Sequence, residues 1–250
     1  MRISLGMDTN ILINSFAIRS FRDVADCDYI AARLAYRAQL IPQFLWSSLQ
    51  AIEKYLKCVL VLNRIPARKG HDLGEILNIL EKVNRFELRL TQPTRKFLEY
   101  LDTYGRHRYF ETPYFIEGME IIRLDRAVWE VRRYAQVLNY QITSHDGRKI
   151  DMLPLMLAEI ESAERYSPHK FSIIGGHLEA IIAKQSNPAR EPLLWQNASF
   201  GRKSRKTVRL ASNLHFANSP LSLYPEILDE ILKYVFLPKD VINAYRGESK

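Results

Sequence analysis

Apolar residues recur at intervals of three and four along most of the chain, the spacing that collects side chains on one face of an α-helix. The first such stretch is predicted to begin at Ser20, because Asp23 follows three positions later in a helix-capping pattern. Its expected buried face consists of Val24, Cys27, Ala31, Leu34, Ala38 and Ile41. The pattern therefore predicts a long first helix with one apolar side.

A second helix is predicted over residues 42–64, between Pro42 near its first position and Pro66 just beyond its end. Two apolar stripes run side by side within it. One consists of Leu45, Leu49, Ile52, Leu56 and Val59, and the other of Phe44, Ser48, Ala51, Tyr55, Cys58 and Leu62. Because one neighbour cannot cover so wide an apolar surface, we expect a central helix that is packed on two sides.

Local signals mark the next helices. Asp72 occupies a helix-capping position with Glu75 three residues later, and a further helix is predicted over residues 93–104. The three-four alternation then continues from Ile121 to Ile142, so a long helix is expected there, ended by the glycine of "SHDGRK".

Beyond this point the pattern is less regular. Helices are predicted near residues 152–165 and 170–185, and a short hairpin within "TVRLASNLHF". A final helix is expected from Pro225 to Pro238, with Ile227, Leu228, Ile231, Leu232 and Val235 buried.

These elements predict an all-α fold. Residues 20–145 should form an antiparallel helical bundle that follows an N-terminal segment over residues 1–19. Residues 146–250 should form a helical C-terminal extension, with a basic loop near residues 190–222.

Composition indicates a globular protein, because 250 residues that are 47% hydrophobic can bury a full core. No apolar run approaches the roughly 18 residues that span a bilayer, and the start of the chain lacks a secretion signal, so we expect a cytoplasmic protein. Cys27 and Cys58 both fall in predicted helices, and we expect two buried free thiols rather than a disulfide or a metal site. Phosphate-binding, dinucleotide-binding and zinc-protease motifs are absent, so neither a metal nor another cofactor is expected.

The formal charge of +8, from 36 Lys and Arg against 28 Asp and Glu, favours a polyanionic partner such as RNA, DNA or nucleotide. Five basic residues crowd into "GRKSRKTVR": Arg202, Lys203, Arg205, Lys206 and Arg209. The alternative for this stretch is a solvated loop without a ligand.

Four segments in order carry a family resemblance: "ADCDYIAARLAY", "QFLWSSLQAIEKYLKCVLVL", "GHDLGEIL" and "LDTYGRHRY". They resemble the HEPN family, the helical domain named for nucleotide binding in higher eukaryotes and prokaryotes. The resemblance covers about half the chain and implies a four- or five-helix bundle that commonly forms a homodimer. It also implies one of three roles: a metal-independent ribonuclease, a helical partner of a nucleotidyltransferase, or a catalytically silent module that associates with RNA or nucleotide.

Active members of that family carry an Arg, four to six further residues, and then a His. The His can accept the proton of a ribose 2′-hydroxyl while the Arg stabilises the phosphorane that forms. His107 would need an Arg at position 100, 101 or 102, where this chain has Tyr100, Leu101 and Asp102. The resemblance therefore implies no catalytic pair at the expected position.

The spacing does occur elsewhere, as Arg64 with His71 and as Arg209 with His215. A chain this rich in arginine should contain about two accidental matches, so neither pair is informative. His71 also belongs to the helix start "HDL", where we interpret it, with Asp72, as structural.

The turn "GRHRYF" places Arg106, His107 and Arg108 directly before Tyr109. These residues could hold a phosphate through charge-assisted hydrogen bonds while the ring stacks on a base. The structural alternative pairs Arg108 with Glu53 across the bundle and buries Tyr109, because Glu53 lies between apolar stripes and would need a partner.

The leading hypothesis is a non-catalytic helical module that binds RNA or nucleotide through Arg106, His107, Arg108, Tyr109 and the basic stretch. One alternative is a ribonuclease with a non-standard pair, in which His107 is the base and Arg106 or Arg108 stabilises the phosphate. The other is a protein-interaction module that partners a separate nucleotidyltransferase or a defence protein.

Overall fold

The computed structural model describes residues 8–67, 72–82, 86–106, 110–201, 207–209 and 215–247. The described α-helices are α1 Thr9–Ala17, α2 Asp23–Arg37, α3 Ile41–Leu62, α4 Leu73–Glu81, α5 Gln92–Tyr104, α6 Glu120–Arg132, α7 Leu153–Ser162, α8 His177–Ala183, α9 Arg190–Leu194, α10 Pro220–Leu223, α11 Leu228–Ile231 and α12 Lys239–Arg246. The strands are short: β1 Tyr114–Ile116, β2 Gln141–Thr143, β3 Lys149–Asp151 and β4 His215–Ala217. The all-α class is confirmed.

The central helix of the fold is α3. Pro42 lies in its first turn, and both predicted stripes are buried, apart from the half-buried Leu62 at its end. It packs against α2 most extensively and also against α1, α4, α5 and α6. The predicted helix with two packed sides is therefore confirmed, and so are α4 with its Asp72 cap and α5.

The prediction for the first helix was wrong in its start and in its face. Helix begins at Thr9, capped by Asp8, and a π-helical turn over Ile18–Arg22 joins α1 to α2, so Ser20 lies inside continuous helix. The buried apolar residues of α2 are Ala25, Tyr29, Ile30, Ala32, Ala35 and Tyr36. The predicted positions Val24, Cys27, Ala31, Leu34 and Ala38 are exposed, and Ile41 is buried as the first residue of α3.

The physical reason is that α2 buries two charged residues, Asp26 and Arg33, beside those aromatic and alanine side chains. Each has an opposite charge within hydrogen-bond distance, which makes burial tolerable. Cys27 turns outward on the other side of the helix, so the expectation of two buried thiols holds only for Cys58.

The helix predicted from Ile121 to Ile142 is shorter than its pattern suggests. It ends at Arg132, and Ile142 lies in strand β2 opposite Ile150 of β3. The stretch "SHDGRK" forms the turn of this hairpin, with Gly147 at a left-handed φ of 82° that glycine adopts without cost.

The C-terminal region departs further from the predictions. Strand β4 begins in the stretch predicted as a local hairpin and ends one residue beyond it, but it pairs antiparallel with the distant β1, and residues 210–214 lie outside the described ones. The helix expected from Pro225 divides into a 3-10 turn and α11, Val235 is exposed, and α12 follows Pro238. α11 ends at Ile231, seven residues before Pro238, and Pro238 is instead the N-cap residue of α12, so the predicted stop is the start of another helix.

Side chains from the extension join the core of the bundle. Leu178, Ile181 and Leu193 belong to the same buried cluster as α2, α3 and α6, while Leu221, Leu228 and Leu237 form a smaller second cluster. The division into segments at residues 19 and 145 stays a prediction. Within the described ranges, every helix is too short or too polar to cross a membrane.

Candidate functional site

The end of α5 and the start of α4 meet in a small cluster of charges. Arg106 forms an ion pair with Asp102, one turn earlier in the chain, and its Nη2 lies 3.3 Å from Oδ2 of Asp72. Asp72 also caps α4, accepting a hydrogen bond from the Glu75 amide at 2.7 Å. Asp102 accepts a hydrogen bond from the Leu73 amide at 2.9 Å, so the two carboxylates join the helices.

These contacts set the charge states at this corner. The backbone amide of Glu75 is the largest cause that lowers the pKa of Asp72, and Arg106 contributes. Burial alone would lower the pKa of Arg106, but Asp102 and Asp72 raise it. Arg106 is therefore a cation between two anions, and much of its field is neutralised within the protein.

Gly105 fixes the position of this corner against the central helix. A Cβ at this position would lie 3.0 Å from the Leu45 carbonyl oxygen and 3.0 Å from the Leu49 Cβ, and 2.6 Å from the Leu101 carbonyl oxygen. Only a residue without a side chain allows the end of α5 to approach α3 so closely.

Several predicted site residues lie outside the described ones: His71, His107, Arg108, Tyr109, Arg202, Lys203, Arg205 and Lys206. The predicted contact between Glu53 and Arg108 is therefore untested; Glu53 is buried and accepts a hydrogen bond from Lys57 at 2.6 Å. Arg209 is exposed and has no acidic partner in the described part of the chain.

Strands β1 and β4 form a two-stranded ribbon beside this corner. Phe115 lies directly opposite Phe216, so both rings are on the outer face, where 37% of Phe115 and 60% of Phe216 remain exposed. The Tyr100 hydroxyl donates a 2.7 Å hydrogen bond to the Phe115 carbonyl and so attaches the ribbon to α5. The result is a pair of solvent-exposed aromatic rings on an anchored strand pair.

The inner face of the ribbon is also aromatic. The Tyr114 ring lies 6.1 Å from the imidazole of His215 and 5.3 Å from the Phe110 ring, measured between centroids. Ile116, on the same face of β1 as Tyr114, is buried against the bundle core. The ribbon therefore has a packed side and an open side.

Each strand of the ribbon follows, in the sequence, one of the two basic stretches that are predicted as a ligand surface. β1 begins eight residues after Arg106, and β4 begins six residues after Arg209. At roughly 3.4 Å per residue, six residues of chain reach at most about 20 Å, which limits the distance from Arg209 to His215. The Glu111 carbonyl, between the first stretch and β1, accepts hydrogen bonds from the Ser219 hydroxyl at 3.0 Å and the Tyr245 hydroxyl at 2.8 Å.

A cavity of about 470 Å³ opens beside the ribbon anchor. Its walls include Phe97, Tyr100 and Lys96 of α5 and Glu117, which directly follows β1. Arg123 forms an ion pair with Glu117, whereas Lys96 is exposed and has no acidic partner among the residues described. The cavity is large enough for a small planar ligand, and of the two cations that line it, Arg123 is paired with Glu117.

Positive charge is unevenly distributed along the chain. Seven of the 36 Lys and Arg residues, but none of the 28 Asp and Glu residues, fall in the three short stretches 68–71, 107–109 and 202–206. These stretches therefore contribute most of the net charge of +8.

Two buried ion-pair networks elsewhere in the protein do not form a site that a ligand could reach. Arg132 lies between Asp26 and Glu179, and Arg33 lies against Asp125, with the two arginines and two aspartates almost wholly buried. Their partners come from α2, α6, α8 and the α9 region, so they join the extension to the bundle. No group of three or more metal-ligating side chains occurs in the part of the chain that the structure describes.

Residues 18–136 match the family model of the HEPN domain, and this part of the chain is a HEPN domain. The match runs from the π-helical turn before α2 to the residues that follow α6, and it includes the Arg106 corner and β1. Comparison with curated proteins and with solved structures gives no match.

Sequence reasoning missed the ribbon and its exposed rings. Each strand is three residues long and its partner lies about a hundred positions away, so local alternation cannot reveal the pairing. The available signal was the β-prone stretch "YFI" soon after the basic turn, together with "HFA" soon after the basic run.

Proposed function

We propose that this protein is a non-catalytic HEPN-type module that binds single-stranded RNA on the outer face of the β1–β4 ribbon, with the flanking basic stretches contacting phosphates. The observation that carries the proposal is the exposed cross-strand pair of Phe115 and Phe216, on two strands that each follow one of those stretches in the sequence. A cytoplasmic location is part of the proposal.

The two kinds of contact have separate physical roles. An exposed ring stacks on a base with about 1–3 kcal/mol per base and little sequence preference. Lys and Arg side chains release counterions from phosphates, which supplies affinity that falls as salt rises. Arg202, Lys203, Arg205, Lys206 and Arg209 are the proposed phosphate contacts, together with Arg106, His107, Arg108 and Tyr109 of the basic turn.

Two observations support the absence of catalysis. The family spacing of Arg and His does not occur at His107, and the Arg106 guanidinium is already paired with Asp102 and Asp72. An arginine that is neutralised by two carboxylates stabilises a developing phosphorane charge poorly.

Titration of labelled single-stranded RNA at two salt concentrations tests the proposal. We expect binding at low salt and a steep loss of affinity at high salt, and replacement of the five basic residues of 202–209 by Gln should flatten that salt dependence. Absence of binding even at low salt would refute RNA binding.

A ribonuclease is the second candidate, and one contact favours it. Asp72 and Arg106, which are 3.3 Å apart, are the chain neighbours of His71 and His107. In this alternative His107 is the base and Arg106 or Arg108 stabilises the phosphate. An assay for 2′,3′-cyclic phosphate ends would detect the activity, and cleavage that survives His107→Ala unchanged would exclude this assignment.

We also propose that two copies pair through the outer side of α2, where Val24, Ala31 and Leu34 are exposed. Light scattering should give a dimer mass that Leu34→Glu reduces to that of a monomer. Ile174→Glu, at a 98% exposed apolar residue elsewhere, is the matched control and should leave the dimer intact. A monomeric wild-type protein would refute the pairing and would make the α2 face available to a different protein, such as a nucleotidyltransferase.

A further inference from the structure

A second pocket, of about 300 Å³, lies at the opposite end of α3 from the ribbon, where α1 and the segment after α6 meet the helix end. Its polar lining consists largely of side-chain amides, with Leu62, Val137 and Leu138 as aliphatic walls. The amides are Asn10, Asn14, Asn63, Gln136 and Asn139.

Arg64 orients two of these amides. It follows α3 with a left-handed φ of 61°, a position where glycine is the usual residue. Its guanidinium donates to the Asn14 Oδ1 at 3.0 Å and the Asn10 Oδ1 at 3.2 Å. Because both amide oxygens accept from Arg64, the two Nδ2 groups remain as donors, and neither has an acceptor among the described residues.

In two other amides the nitrogen is the engaged atom and the oxygen remains available. Asn63 donates from Nδ2 to the Val59 carbonyl at 2.8 Å, and Gln136 donates from Nε2 to the Arg133 carbonyl at 2.8 Å. Their Oδ1 and Oε1 atoms therefore remain as acceptors without a donor from the described part of the chain. The pocket thus presents two amide donors and two amide acceptors, each held in place by a hydrogen bond on its other end.

The charge of the pocket limits what it can bind. The two terminal nitrogens of Arg64 already make five hydrogen bonds, to the Asn10 and Asn14 side chains and to the carbonyls of Asn10, Val61 and Leu62. Among the residues that the structure describes, no carboxylate and no other cation lines the pocket. It therefore suits a neutral ligand that carries both donors and acceptors rather than a phosphate.

We propose that this pocket binds a nucleobase. Bases are neutral and planar, and their edges carry the alternating donors and acceptors that carboxamides recognise. The aliphatic walls suit the faces of the ring, and the volume lies at the lower end of the range for small-ligand sites. The base could belong to a free nucleoside or to an RNA strand.

This site shares no residue with the ribbon, so the inference does not depend on the proposed function. Gly105 meets α3 at Leu45 and Leu49, whereas the pocket begins at Leu62. At about 1.5 Å per helical residue, these contacts lie about 20–25 Å apart along α3.

Calorimetric titration of the full chain with guanosine, adenosine, cytidine and uridine tests the inference, with ribose 5-phosphate as the control ligand. We expect at least one nucleoside to bind with an affinity that changes little between low and high salt, and no binding of ribose 5-phosphate. If a short RNA displaces the nucleoside from the protein, the natural source of the base is an RNA strand. If it does not, the source is free nucleoside.

Variants then locate the site. Asn14→Leu with Gln136→Met should weaken nucleoside binding about tenfold or more, since the edge of the base would lose two hydrogen-bond partners. Gln43→Met, an exposed amide at the other end of α3, should leave binding within about twofold, a change too small to reflect a lost hydrogen bond. If the double variant unfolds early, Gln136→Met alone carries the test, because that side chain is only half-buried.

Absence of binding by all four nucleosides, or unchanged binding by the variants, would overturn the inference. Salt-dependent RNA binding without nucleoside binding would overturn this inference and leave the proposed function standing. Nucleoside binding without RNA binding would refute the proposed function and leave this inference standing.

Discussion

Arg132 of α6 and Asp26 of α2 form a two-point ion pair in the protein interior, with Nε 2.7 Å from Oδ1 and Nη2 2.9 Å from Oδ2. Glu179 of α8 binds the same guanidinium through contacts of 2.8 Å and 2.7 Å. The Leu178 amide also donates to Asp26, at 3.3 Å. One arginine therefore links two bundle helices to the C-terminal extension.

Arg132→Met should strongly destabilise the protein. It would leave Asp26 buried without its cation and Glu179 without its guanidinium partner, and a broken buried pair costs about 3–5 kcal/mol of the free energy of unfolding. Urea denaturation measures the change. Arg148→Met, which removes an ion pair with the exposed Asp146, is the control and should cost less than about 1 kcal/mol. Equal losses in the two variants would contradict the structural role of Arg132.

Stability should fall in acid through Glu179. Burial alone would raise the pKa of Glu179, but Arg132 and the Ile173 amide hold it below its ordinary value. The ionised carboxylate therefore contributes stability that is full above the unfolded pKa of about 4.3 and is lost as pH falls through the lower folded pKa. Denaturation at several pH values between about 5 and 3 should show a steeper loss for the wild type than for Glu179→Gln. Parallel pH profiles would refute this contribution.

The two cysteines should differ in reactivity. Cys27 is exposed, although partial burial and the neighbouring Asp26, Asp28 and Asp23 raise the pKa of its thiol. Burial raises the pKa of the Cys58 thiol to about 12. Because the thiolate is the reactive form, a disulfide reagent at neutral pH should modify Cys27 slowly and Cys58 only after unfolding. The folded Cys27→Ser variant should therefore show no reactive thiol, because its remaining cysteine, Cys58, is buried. Rapid labelling of that variant under folding conditions would be inconsistent with the fold.

Gly105→Ala should destabilise the contact between α5 and α3. The added methyl would meet the Leu45 carbonyl oxygen and the Leu49 side chain at 3.0 Å, and overpacking of this kind costs about 1–3 kcal/mol. Thermal unfolding measures the loss. Gly74→Ala is the matched control, because its new methyl would meet only the Asp72 carboxylate, at 3.3 Å, and should change stability little. If the Gly105→Ala protein is as stable as the control, α5 and α3 can move apart without loss of stability, and the close contact at Gly105 is not required.

Phe216→Ser should weaken RNA binding without lowering stability much, since its ring is mostly exposed. Loss of one stacking platform costs about 1–3 kcal/mol, or about tenfold or more in affinity. Phe16→Ser removes a similarly exposed ring from α1 and is the control. Fluorescence anisotropy with labelled RNA compares them, and equal affinities of both variants would exclude the ribbon as the binding surface.

The elements that the sequence predicts well are those specified by nearby residues. α3 carries two apolar stripes that begin at a proline, and α4 begins at the cap formed by Asp72, so both signals lie within the helix they define. The buried face of α2 could not be predicted in this way. Asp26 and Arg33 look like solvent-facing residues until their partners, Arg132 and Asp125, are brought to them from positions about a hundred residues away.

The same distinction between local signals and long-range contacts applies to the candidate site. The basic turn and the basic run are properties of composition, and the sequence displays them directly. The pairing of Phe115 with Phe216 and the convergence of Asn14 with Gln136 depend on long-range contacts, and no local period encodes them.

The burial of Arg33 has an evolutionary consequence. Its guanidinium binds Asp125 within the bundle, but its other acceptors are the Pro192 and Trp195 carbonyls. In a relative with the same domain but no such extension, an arginine at this position would lose those carbonyls, and selection should favour a smaller neutral residue. A paired arginine and aspartate at the positions of Arg33 and Asp125 would then mark the lineages in which this domain acquired its C-terminal companion.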